Sequence, residues 1–164
     1  MSRLLKLLFL IVLAYGGYQW YNKSELIEQQ LDWQSYKFKT QNVTAKFPVQ
    51  PTVKNKSIKS SSIEFAGVRS GKTEFSVTVI TGGSALRGDY YPDSLVKKGA
   101  QVLSNNNTYI DSHYTQEYEL VYNGRSVIQR FIHFNDSLVT QTAFYLESEY
   151  PTESAQKFLD SISL

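Results

Sequence analysis

Asp111-Ser112-His113 brings an acid, a hydroxyl and an imidazole together in three consecutive residues, the side chains of a hydrolase triad. Such a triad is assembled across space, with the base beside the nucleophile and an acid behind the base. Consecutive residues on a strand point to alternate faces, so these three do not converge. No G-x-S-x-G turn is present to expose a serine nucleophile. His113 and His133 are the only histidines, and cysteine is absent. That excludes thiolate chemistry, disulfides and a His-rich metal centre. No catalytic residue, metal or cofactor is therefore expected.

Two short loop motifs remain. Thr81-Gly-Gly-Ser84 lacks the Lys-Ser/Thr ending of a phosphate-binding loop. Arg87-Gly-Asp89 is the integrin tripeptide, which turn chemistry explains more simply. The loop holding both is long and glycine-rich, so Gly82, Gly83, Arg87 and Asp89 are candidates for partner contact.

The elements that would position these residues follow from pattern and composition. The chain has 164 residues, 41% hydrophobic and 20% charged, which is ordinary globular composition and excludes a wholly disordered chain. A net charge of +2 gives no case for nucleic acid. Arg3 and Lys6 flank an uncharged apolar run, and the 19 residues from Leu4 to Asn22 contain only Lys6 as a charge. As a helix they would span roughly 28 Å, close to the hydrocarbon core of a bilayer. Tyr15, Tyr18, Trp20 and Tyr21 sit where an interfacial aromatic belt belongs. The competing reading is a cleaved signal peptide ending at Ala14-Tyr-Gly16, which the aromatic crowding disfavours. Residues 1–22 are read as a transmembrane anchor contacting lipid through residues 4–22, and residues 23–32 as a helical stalk. The basic flank before the span places the N-terminus in the cytoplasm and the remainder outside.

From residue 33 the pattern has period two. Val43, Ala45 and Phe47 alternate with polar residues, and further strands are expected at 53–59, 63–69 and Thr73–Thr81. A helix is expected after Pro92, with Leu95, Val96, Ala100 and Val102-Leu103 as its apolar side. Strands at 109–122, Arg125–Phe134 and 138–147 and a helix at 151–160 complete the chain. Asn123-Gly124 is a strong two-residue hairpin signal. It sets Tyr122 opposite Arg125, so partners sum to 247 and Glu117 faces Arg130. The same register sets Tyr114 opposite His133 and His113 opposite Phe134, placing the two imidazoles on opposite faces. Both faces carry large apolar groups, as an antiparallel sheet flanked by helices requires.

Tyr36-Lys-Phe-Lys, the segment Val43-Thr-Ala-Lys-Phe-Pro-Val-Gln-Pro51 and the closing Ala155-Gln-Lys-Phe-Leu-Asp-Ser-Ile162 resemble the opening F-x-V-x-F-P-x-x-P and terminal helix of PsbP-like domains. The resemblance covers residues 33–164. It implies an α+β fold, an α/β/α sandwich around an antiparallel sheet. It also implies docking onto a partner rather than catalysis, and suggests a membrane-tethered bacterial member with its domain in the periplasm, anchored in the inner membrane.

Charge layout is the least ordinary feature. The 31 residues 33–63 hold Lys37, Lys39, Lys46, Lys54, Lys56 and Lys59 and no acid. Lysines guard exposed strand edges against aggregation. They also suit an anionic surface, and Lys37, Lys39, Lys54 and Lys56 are the candidate docking surface, paired by strand parity. The function expected is a non-catalytic protein-binding or scaffold domain outside the membrane, with an unidentified protein partner. The alternative is a small-ligand or lipid-binding domain with an aromatic-lined pocket.

Overall fold

A computed structural model describes residues 32–39, 41–58, 60–70, 73–82, 91–146 and 152–164. The chain opens with two short strands, β1 (Gln34–Lys37) and β2 (Thr44–Phe47), paired as their own antiparallel hairpin. Seven longer strands follow: β3 (Thr52–Ile58), β4 (Ser61–Ser70), β5 (Thr73–Thr81), β6 (Gln101–Ile110), β7 (His113–Tyr122), β8 (Arg125–Phe134) and β9 (Ser137–Leu146). They form one antiparallel sheet in the order β3-β4-β5-β9-β8-β7-β6. Two helices complete the described chain, the single turn α1 (Asp93–Val96) and the longer α2 (Glu153–Leu159).

Alternation sorts the side chains of this sheet onto two faces. One face carries Ala66, Phe75, Val77, Val79, Ile128, Ile132 and Val139 and is covered by the β1-β2 hairpin and α2. Phe158 of α2 lies between Phe47 and Phe75, with ring centroids 5.4 and 4.8 Å away. A fully buried phenylalanine of this kind is worth about 3–5 kcal/mol over alanine. The last carbonyls of α2, which have no partner inside the helix, are taken up by the sheet. Gln141 Nε2 donates to Phe158 O at 2.9 Å and Arg130 Nη1 to Leu159 O at 2.7 Å. Thr152 caps the other end, accepting from Ala155 N–H.

The opposite face holds a smaller cluster of Leu95, Ala100, Tyr118, Leu120, Val127, Phe131 and Leu138. Among the described residues only the single turn α1 and the residues around it pack there, so the expected sandwich has helix on this side only as one turn. The helix expected from Pro92 to Leu103 is cut short for a local reason. Gly99 stands at φ +98°, left-handed backbone that a helix cannot continue through. The chain re-emerges as β6, whose Asn105-Asn106-Asn107-Thr108 are poor helix formers. The strand expected at 109–122 is likewise two strands. Asp111 and Ser112, at φ +47° and +68°, form a tight hairpin turn between β6 and β7.

The Asn123-Gly124 hairpin has the expected register. Tyr122 pairs with Arg125, Leu120 with Val127, Tyr118 with Gln129 and Glu117 with Arg130. No helix of the described residues is long and apolar enough to cross a membrane. Of the anchor and stalk expected over residues 1–32, residues 1–31 lie outside the described residues.

Candidate functional site

The half of the second sheet face formed by β4, β5 and β9, which no helix or strand among the described residues covers beyond α1, is the candidate site, hereafter the open face. β4, β5 and β9 present Phe65, Ser76, Thr78, Thr140, Thr142 and Phe144 there, at positions opposite in parity to the buried Ala66, Val77 and Ala143. Two adjoining hollows of about 640 and 590 Å³ lie along this surface and share Phe65, Ser76 and Phe144. One extends to Lys54, Arg69 and Glu74 at the β3 side; the other reaches Tyr91, Leu95 and Lys98 around α1. The Phe65 ring occupies the space a side chain at residue 67 would need: a Cβ added to Gly67 would lie 2.5 Å from it.

At the β3 end the charges are organised around Glu74. Its Oε1 accepts from Arg125 Nη1 at 3.0 Å and lies 3.4 Å from Arg69 Nε. The Arg125 guanidinium also rests over the Phe144 ring, 4.8 Å from its centroid. The middle is uncharged: the buried Gln129 Nε2 donates to the buried Thr142 Oγ1 at 3.0 Å, and the half-buried Ser76, Thr78 and Thr140 lie beside them. This arrangement offers hydroxyl and amide groups between aromatic rings with basic residues at the rim.

The candidate lysines do not form one surface. Lys54 pairs with Phe65 and Lys56 with Ile63, so both project from the open face, and both are exposed. Lys37 alternates with Tyr36, which points in toward the sheet, so Lys37 points out from the hairpin layer on the far side. Lys39 lies just beyond β1 and is exposed; its backbone N–H donates to Glu64 Oε2 at 2.9 Å. Lys37 and Lys39 line a separate surface hollow of about 470 Å³ with Gln41 and Asn42.

Of the candidate loop, Gly82 is described, and Gly83, Arg87 and Asp89 lie outside the described residues. Gly82 fastens the end of β5. Its N–H donates to Asp136 O at 3.3 Å and its carbonyl accepts from Ser61 Oγ at 3.1 Å. Its φ of +77° and the Ser60 carbonyl 2.6 Å from where a Cβ would lie leave room for glycine only.

Asp111, Ser112 and His113 do not converge. Asp111 Oδ2 accepts from Leu164 N–H at 3.2 Å, Ser112 is in the turn, and the His113 ring meets Phe134 edge-on at 4.8 Å. His133 packs against Tyr114 on the other face, with centroids 5.6 Å apart. No group of three or more His, Cys, Asp or Glu among the described residues is placed to hold a metal ion.

Glu64, which no sequence motif marks, is only 1% exposed beneath the β1-β2 hairpin. Tyr36 Oη donates to its Oε1 at 2.7 Å and Lys39 N–H to its Oε2. Burial, reinforced by the hydrogen bond to Glu64 and its charge, pushes the Tyr36 phenol up to about 12. The available signal was parity: Glu64 shares a face with Ala66 and Val68, where an acid has no business unless it is paired.

The sequence matches no protein-family model and no curated protein. Among solved structures the chain is similar to cyanobacterial PsbP (CyanoP) from Synechocystis sp. PCC 6803, with a TM-score of 0.56 and 14% identity. The alignment covers 82% of this chain and 93% of that one. The fold is PsbP-like.

Proposed function

We propose that this chain is a non-catalytic protein-binding domain held at the outer surface of a bacterial inner membrane by residues 1–22. Its working surface is the open half of the seven-stranded sheet. The observation that carries the reading is the half-buried stretch of Phe65, Ser76, Thr78, Thr140 and Phe144, over which no regular element among the described residues lies except the single turn α1, whereas the other face carries the main core cluster. Half-buried aromatic rings interleaved with hydroxyls and rimmed by basic side chains are the composition of a docking surface. The PsbP-like fold supports binding over catalysis by analogy alone.

The test is photo-crosslinking in intact cells, with a benzophenone side chain at Thr78 or Thr140 of the full chain. Protein adducts from both positions, with none from the exposed helix position Gln156, are expected. Adducts from Gln156 alone, or equally from all three, would overturn the reading. A small-ligand role is favoured by one feature, the size of the hollows, which falls within the range of ligand sites. Native mass spectrometry showing a retained small molecule, with no protein adducts, would select it.

A further inference from the structure

The two edges of the sheet are built differently. β3, at one edge, carries Lys54 and Lys56, and a second β3 laid beside it would set lysines against lysines. This is how natural sheets keep an edge from pairing. β6, at the other edge, is ten residues long and contains no Asp, Glu, Lys, Arg or Pro. Asn105 to Tyr109 are exposed in an unbroken row. Tyr109 at 71% and Leu103 at 61% are the most exposed large hydrophobic residues described. A bulge between Val102 and Ser104 is confined to the first part of β6, and pairing with β7 is regular from Ser104 to Ile110. Among the described residues no strand pairs with the outer side of β6.

We infer that β6 is a dimerisation edge that pairs antiparallel with β6 of a second copy of this chain, joining two sheets into one of fourteen strands. Charge complementarity selects the second copy as occupant. The uncharged run is bounded by the exposed Lys97 and Lys98 at its start and by the exposed Asp111 at its end. Antiparallel self-pairing therefore brings the lysine end of each strand to the aspartate end of the other, twice, and opposes no like charges between. A parallel arrangement would bring like ends together. The two-fold axis stands normal to the sheet and preserves its faces, so each residue must oppose one of the same parity. With the axis at Asn106, beside the middle of β6, Asn105 is set against Asn107 and Ser104 against Thr108. Carboxamides and hydroxyls that donate and accept equally suit such self-pairing.

The absence of cysteine makes the test direct. In an antiparallel pair, opposed Cα atoms lie about 4.5–5.5 Å apart, within disulfide reach. Asn106→Cys in the full chain, purified in detergent and mildly oxidised, is expected to give a covalent dimer. Thr52→Cys, exposed on the β3 edge, should not. Light scattering should find the unmodified full chain dimeric, and Asn106→Lys should weaken association about tenfold or more by opposing two ammonium groups. A monomeric parent chain, or crosslinking that is absent at residue 106 or equal at residues 52 and 106, would overturn the inference. If Asn106→Lys fails to fold, the comparison of the two cysteine variants still decides.

Discussion

The pair that fastens the hairpin to the sheet is Tyr36 with Glu64. Both carboxyl oxygens of Glu64 accept a hydrogen bond, one from a phenol 28 residues away and one from a backbone N–H. Loss of the phenol leaves Oε1 without that donor under the hairpin. Tyr36→Phe is therefore expected to cost about 1.5–3 kcal/mol near neutral pH, the scale for a hydrogen bond to a charged acceptor. The cost carries a pH signature. The Tyr36 phenol is pushed from 10.0 up to about 12 in the folded chain, by desolvation first and by Glu64 second. A raised folded value means the unfolded chain releases the proton first as pH rises. The stabilisation is thus complete below about pH 10 and falls away between about 10 and 12. Thermal melts of parent and Tyr36→Phe across that window should converge as the pH rises. A gap that stays constant through pH 12 would show that the phenol contributes packing alone.

Hairpins were the most readable elements, because turn chemistry and alternation agree within them. Asn123-Gly124 fixed the register of β7 against β8 through Glu117 and Arg130, whose guanidinium bonds the Glu117 carboxylate and reaches across to α2. β6 was the least readable. Leu95, Val96, Ala100 and Val102-Leu103 match helical spacing, and only Gly99 followed by three asparagines spoke against it. The helical pattern prevailed in the sequence because tertiary pairing with β7, which decides the matter, leaves no local trace. The turn at Asp111-Ser112 was missed because serine is an uncommon residue at φ +68°. Left-handed backbone costs a non-glycine residue about 1–2 kcal/mol. Ser112→Gly restores the Asp-Gly pair that this turn type prefers. Offset by the greater freedom of glycine in the unfolded chain, the expected gain is up to about 1 kcal/mol. Thermal denaturation should show a rise of a few degrees. A fall would mean that the Ser112 side chain contributes more to the turn than its backbone strain costs.

At the scale of the molecule, the acid-free stretch of residues 33–63 proves to be shared between two layers. β1 and β2 form the lid over one face, while β3 is the outermost strand of the main sheet. Lys54 and Lys56 share a parity on β3, but nothing local in the sequence tells that the hairpin bearing Lys37 folds over the other face. That placement depends on Phe38, Ala45 and Phe47 packing against Ala66, Val77 and Phe158, contacts made far along the chain. A single rigid partner seated on the open face can therefore reach Lys54 and Lys56 and not Lys37. Exposed lysines act over about 8 Å at physiological ionic strength, so only contacts close to the partner register. Lys54→Gln with Lys56→Gln should lower the crosslinking yield at Thr78 and flatten its dependence on salt. Lys37→Gln with Lys39→Gln should leave both unchanged. If the first pair leaves the yield intact but the purified chain begins to aggregate, the lysines of β3 guard the edge and take no part in docking. If both pairs lower the yield equally, the partner wraps the sheet from both sides, and the open face is only one part of its footprint.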